Sequence, residues 1–170
     1  MSKNFQGSWY LHSRYPFVYD ENYRCNKIDY TPGPNNVHRI KRFQIRDIDD
    51  YVEVNTGTLT CLPDGEFQVI YDERGSRPPI YKILSYCKDY IIFYVCQNLP
   101  SKKHDEYLWI YTKNHKPPKS VMKAYMDALE AQNISTGHLE WIIHENCAGY
   151  GTKQKSVAQQ QSSSKGKSVC

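Results

Sequence analysis

Six cysteines and six histidines are the side chains of this chain with the chemistry to bind a metal or attack a substrate. The cysteines, Cys25, Cys61, Cys87, Cys96, Cys147 and Cys170, contain no CxxC pair and share no zinc-type spacing with histidine. That pattern favours disulfides over a metal centre. A nucleophile needs a base beside it, and His12, His38, His104, His115, His138 and His144 sit mostly in polar stretches without an evident partner. They read as solvated surface histidines. Asp49-Asp50 and Asp105-Glu106 are adjacent carboxylates, which point to opposite faces of a strand or into water from a loop. Neither a phosphate-binding glycine loop nor a His-Glu-x-x-His motif occurs. Catalysis is therefore not expected, and a thiol at Cys87 or Cys96 is the one enzymatic alternative, Lys88 being the only nearby group able to lower a thiol pKa.

The elements that must position these residues are mostly strands. Tyrosine makes up 15 of the 170 residues, and its ring with one polar tip suits a half-buried pleated surface. β-Type runs lie near Trp9–Ser13, Cys25–Tyr30, Val37–Ile45, Val52–Cys61, Glu66–Tyr71, Ile80–Tyr86, Tyr90–Gln97 and Tyr107–Lys113. Turn clusters separate them, among them Thr31–Asn36, Pro63-Asp64-Gly65, Gly75–Pro79 and Lys102–Asp105. After Pro117-Pro118 the period changes: Val121, Met122, Tyr125, Met126 and Leu129 form an apolar stripe at helical spacing. A short β-type run, Leu139–Ile143, follows, and a Gln/Ser/Lys/Gly-rich tail over 149–170 is expected to be mobile. The expected division is thus a domain over 1–148 and a tail over 149–170.

Eight meandering strands leave two edges unless the sheet closes on itself. The expected fold is an all-β, eight-stranded, up-and-down antiparallel barrel, wide enough for one small ligand, with the helix packed on the outer wall through Val121, Tyr125 and Leu129. The 22 basic residues are scattered among 18 acidic ones, so no concentrated field awaits nucleic acid. The longest apolar runs, such as Tyr90–Cys96, fall far short of the roughly 20 residues a membrane helix needs. Met1–Phe5 shows no secretory signal; the disulfide-type cysteines and the sequon at Asn133 lead to the expectation of a secreted chain given in its mature form.

The stretch Asn4–Tyr10, with Gly7 and Trp9 in a Gly-x-Trp arrangement followed by Tyr15-Pro16, resembles the opening strand of the lipocalins. Tyr23-Arg24-Cys25, Asp29–Pro32, Ile83-Leu84-Ser85, Tyr90–Cys96 and Tyr107–Ile110 extend the resemblance, in order, to the subgroup of apolipoprotein D and the insect bilin-binding proteins, over about Phe5 to Cys147. The chain departs from the family at Tyr86–Asp89, one residue shorter than the usual motif after the sixth strand. It departs again at Lys113, where an arginine usually packs over the first-strand tryptophan.

The resemblance implies a carrier of one small hydrophobic ligand, with no required cofactor: a tetrapyrrole such as biliverdin, or a fatty acid, sterol or retinoid. It implies a Cys25–Cys147 disulfide, worth roughly 4 kcal/mol in the chain-entropy model, and makes Cys61–Cys170 the first pairing to try, with Cys87 and Cys96 unassigned. Gly7, Trp9 and Lys113 take structural roles at the closed end. With the family's phase for Cys96 outward and Trp109 inward, strand alternation puts Phe67, Val69, Tyr71, Tyr81, Ile83, Phe93, Val95, Tyr107 and Trp109 on the ligand side. On the third strand Phe43 and Ile45 compete with Arg42, Gln44 and Arg46 for the inward face, and Phe43 is taken as the ligand contact. Mouth loops that bind a receptor or a second copy of the chain are the other expectation for partners.

Overall fold

The computed structural model describes residues 5–72, 79–98, 104–147 and Tyr150. Eight strands follow one another: β1 (Gly7–Arg14), β2 (Tyr23–Thr31), β3 (Val37–Arg46), β4 (Val52–Cys61), β5 (Glu66–Tyr71), β6 (Ile80–Tyr86), β7 (Tyr90–Asn98) and β8 (His104–Thr112). Each pairs antiparallel with the next, and β1 pairs with both β8 and β2, so the sheet closes. Helix α1 (Lys119–Ala131) and a two-residue strand, β9 (Glu140–Trp141), complete the described elements, β9 pairing with β1 on the outside. No helix among the described residues is long and apolar enough to cross a membrane. The 149–170 tail lies outside the described residues except for Tyr150.

Local chemistry sets the turns. Asn35 and Asn36 both take positive φ between β2 and β3, as do Asp64 and Gly65 between β4 and β5, conformations that asparagine, aspartate and glycine adopt at least cost. Gly7, at φ 98°, sits where β1 begins pairing with Tyr30. One sequence expectation fails here. The polar run Lys102–Asp105 read as a turn, yet β8 starts at His104, which pairs with Asn98 through the backbone, and ladder hydrogen bonds do not depend on side-chain polarity.

Apolar surface is buried in three places. Trp9, Leu11, Ile28, Tyr30, Ile40 and Phe93 belong to the core inside the barrel. On the outer wall α1 buries Tyr125 and Leu129 against Tyr90, Ile92, Leu108 and Ile110. The helix follows Pro118 and ends before Asn133, whose positive φ suits a helix C-terminus. The third cluster, Cys25, Phe43, Ile45, Cys147 and Tyr150, lies where the C-terminal segment crosses the outer face of β2 and β3. Cys25 reaches it from a bulge: the β2–β3 register shifts between Arg24 and Lys27, Cys25 takes φ 58°, and its amide donates to the Ile143 carbonyl at 2.9 Å. The Cys25–Cys147 disulfide then fastens the segment.

Candidate functional site

The barrel interior holds two small cavities of about 80 Å³ each, which share Tyr30, Phe67 and Phe93 as a common wall. The first is lined in part by Phe17 and Asp20 of the β1–β2 connection and lies at that end of the barrel, hereafter the mouth. Among the residues expected on the ligand side, Phe67, Val69, Tyr71, Tyr81, Phe93 and Trp109 line it. Ile83 lines the second cavity, nearer the closed end. Val95 is buried opposite Tyr107, and Tyr107 stacks on Trp109 with centroids 5.9 Å apart, but neither residue lines either cavity.

Phe43 is the misplaced expectation. It is 4% exposed, yet it faces outward onto the Cys25–Cys147 crossing. No register shift interrupts β3–β4 pairing from Val37 to Ile45, so His38, Ile40, Arg42 and Gln44 share the inward face. The apolar outward residues are buried because the C-terminal segment covers them. The charged inward residue is tolerated because Asp20 meets it: the Arg42 guanidinium forms an ion pair with the Asp20 carboxylate, which is 2% exposed, and also donates to Gln44 Oε1 at 2.9 Å.

Six residues of the mouth cavity, Phe17, Asp20, Ile28, Tyr30, Arg42 and Tyr111, lie outside the sequence-derived set. Phe17 and Asp20 belong to the connection between β1 and β2, where strand alternation gives no guidance. Burial, reinforced by neighbouring phenols, keeps the Tyr30 hydroxyl protonated far above its usual range. Burial does the same for Tyr111, against the pull of Arg42. For Arg42 itself burial disfavours the charge, but Asp20, with help from Tyr71 and Tyr111, more than restores it. The mouth cavity therefore presents neutral phenols, aromatic faces and one compensated cation.

The closed end is plugged. Trp9 is fully buried, its indole N–H donates to the Phe5 carbonyl at 3.1 Å, and the Lys113 ammonium stands 4.7 Å from its ring centroid. Above it the second cavity is lined by Phe5, Leu59, Cys61 and His38. Cys61 is a free thiol whose pKa burial raises; Cys170, the partner suggested for it, lies outside the described residues. Cys87 is disulfide-bonded, which removes it as a candidate thiol, and Cys96 is free and exposed. The histidines depart from expectation too. His38 and His144 are 5% and 9% exposed, and His144 Nε2 lies 2.6 Å from the Leu11 carbonyl.

Residues 6–139 match the family model described as the lipocalin / cytosolic fatty-acid binding protein family. The chain belongs to the lipocalin family. No curated protein matches this lipocalin. Among solved structures it is similar to insecticyanin from the tobacco hornworm Manduca sexta, at 17% identity and TM-score 0.76, covering 85% of this chain and 81% of that one. Lobster apocrustacyanin A1 superposes at 19% identity and TM-score 0.72, over 83% of this lipocalin and 78% of its own chain. The cockroach major allergen Per a 4 matches at 19% identity and TM-score 0.70, over 86% and 90%. At these identities the likeness is one of fold.

Proposed function

We propose that this lipocalin binds and carries one small hydrophobic ligand at the mouth end of its barrel, without chemistry on it. The observation that carries the reading is the mouth cavity itself: Phe67, Tyr81, Phe93 and Trp109 supply ring faces, and neutral phenols supply a few fixed hydrogen-bonding points. A flat conjugated molecule such as a linear tetrapyrrole, or a lipid with one polar end, suits that lining. Because ligand pockets usually run to about 300 Å³ or more, the cavity of about 80 Å³ must widen to admit such a guest. The Cys25–Cys147 bridge supports work in an oxidising compartment, hence secretion.

Titration with biliverdin, followed by absorption, and displacement of a fluorescent fatty acid by retinol or oleic acid test the reading. Saturable one-to-one binding with a Kd of about 10 µM or tighter is the expected result. If biliverdin, retinol and oleic acid all fail to bind and tryptophan emission does not move, the carrier function is wrong.

A further inference from the structure

The short turn Val18–Asp20, between β1 and β2, is folded the opposite way round from a normal surface turn. Its apolar residues face water, Val18 at 68% and Tyr19 at 61% exposure, while the charged Asp20 is buried in the mouth cavity. Just before it, the Phe17 ring enters the same cavity and sits edge-on to both Tyr107 and Trp109, each at 5.4 Å between centroids. Arg42 and Asp20 complete the contact inside, and Arg14 holds the turn from behind, donating to the Asp20 carbonyl at 3.2 Å. A buried ion pair contributes little to stability compared with apolar packing, so stability alone does not account for putting Asp20 there in place of Val18.

We infer that this turn is a built-in plug standing in for the ligand, Phe17 taking the place of its apolar body and Asp20 that of its head group, so that the preferred ligand is an amphiphilic carboxylate whose acid group displaces Asp20 from Arg42. The inference rests on the carrier reading and narrows it. Exchanging one carboxylate for another leaves Arg42 compensated throughout. A neutral ligand that expels Asp20 leaves a buried cation alone, which is strongly unfavourable. A neutral ligand that spares Asp20 must share the cavity with the plug. The same displacement explains how a cavity of about 80 Å³ accepts a larger guest: Phe17 and Asp20 vacate the space.

The test uses the whole chain and two matched pairs, oleic acid against oleyl alcohol and retinoic acid against retinol, each titrated with the wild type, D20N and D20N/R42Q. The double variant keeps a neutral, similarly sized pair and so avoids leaving either charge buried alone. The wild type is expected to favour each acid over its alcohol at least about tenfold. D20N should raise that acid-to-alcohol ratio, and D20N/R42Q should bring it to about one. Backbone amides of residues 17–20 should exchange faster with deuterium when retinoic acid is bound. Alcohols binding as tightly as acids to the wild type, an acid preference that survives in D20N/R42Q, or slower exchange of the turn would overturn the plug while leaving the carrier function standing. Failure of all four compounds to bind would overturn the plug, and failure of biliverdin as well would overturn the carrier function with it.

Discussion

His12 Nδ1 and the Tyr125 hydroxyl stand 2.8 Å apart, joining the first strand of the barrel to the helix on its outer wall. Burial, with a smaller contribution from nearby His144, lowers the His12 pKa to about 4, and burial pushes Tyr125 up to about 12. His144 is lowered as well, again chiefly by burial. Between about pH 4 and 6.5 the unfolded chain therefore binds protons at these positions that the folded chain does not. Stability is complete above about pH 6.5 and is lost as the pH falls towards 4. Urea midpoints should drop between pH 7 and pH 4.5, and H12Q should flatten that drop. An equal pH slope in H12Q and the wild type would show that His12 does not control it.

The Lys113 ammonium lies over Trp9 and donates to the Gln6 carbonyl at 3.3 Å, so it ties the N-terminal segment down across the plugged end. Burial lowers its pKa, partly against Asp29. K113M should cost about 1 kcal/mol through the lost cation–π contact. K113R, whose planar guanidinium stacks at least as well, should keep or raise the denaturation midpoint. A midpoint unchanged in K113M would contradict the role.

Phe43 packs outside the barrel and Arg42 inside it, which separates stability from binding on neighbouring residues. F43A should lower stability by about 3 kcal/mol and leave biliverdin or fatty-acid affinity within a factor of two or so of wild type. A large loss of affinity in a folded F43A protein would return Phe43 to the ligand side.

The Cys25–Cys147 bridge spans 122 residues of sequence. Removing it as C25A/C147A, which leaves the other cysteines untouched, should cost about 4–5 kcal/mol in the chain-entropy model, read as a fall in thermal midpoint. A smaller loss would mean that the contacts of Ile143 and His144 with β2 and β1 hold the segment without it.

How far the sequence discloses this molecule depends on whether a residue answers to its neighbours in the chain or to distant ones. The bounds of β4, β5 and β6 follow from alternation and from Pro63-Asp64-Gly65, because ladder and turn are local. The inward set on β5 and β6 follows from period two in the same way. β3 defeats that logic, since its outward Phe43 and Ile45 are covered by a segment more than 100 residues later, and its inward Arg42 is compensated by Asp20, 22 residues earlier. His38 and His144 read as solvated because nothing near them in the chain pairs with them, while the barrel interior buries His38 and the distant Leu11 carbonyl meets His144. Phe17 and Asp20 were out of reach because a turn carries no period at all.

Gly57 supplies the sharpest link between packing and the site. It sits in β4 opposite Tyr71, and a Cβ added there would collide with the Ile70 carbonyl oxygen and stand 2.9 Å from Tyr71 Cα. Both obstacles are backbone, so no side chain can swing aside, and the β4–β5 seam must part. The seam ends at the mouth, where Tyr71 lines the cavity and Thr56 Oγ1 donates to Asp72 at 2.8 Å. G57A should therefore cost about 1–3 kcal/mol as an overpacking change and, in the protein that still folds, weaken ligand binding by displacing Tyr71. Circular dichroism would confirm the fold, and titration of wild type and G57A with retinoic acid would measure the loss. Wild-type stability together with wild-type affinity would mean that the two strands do not approach as closely as described.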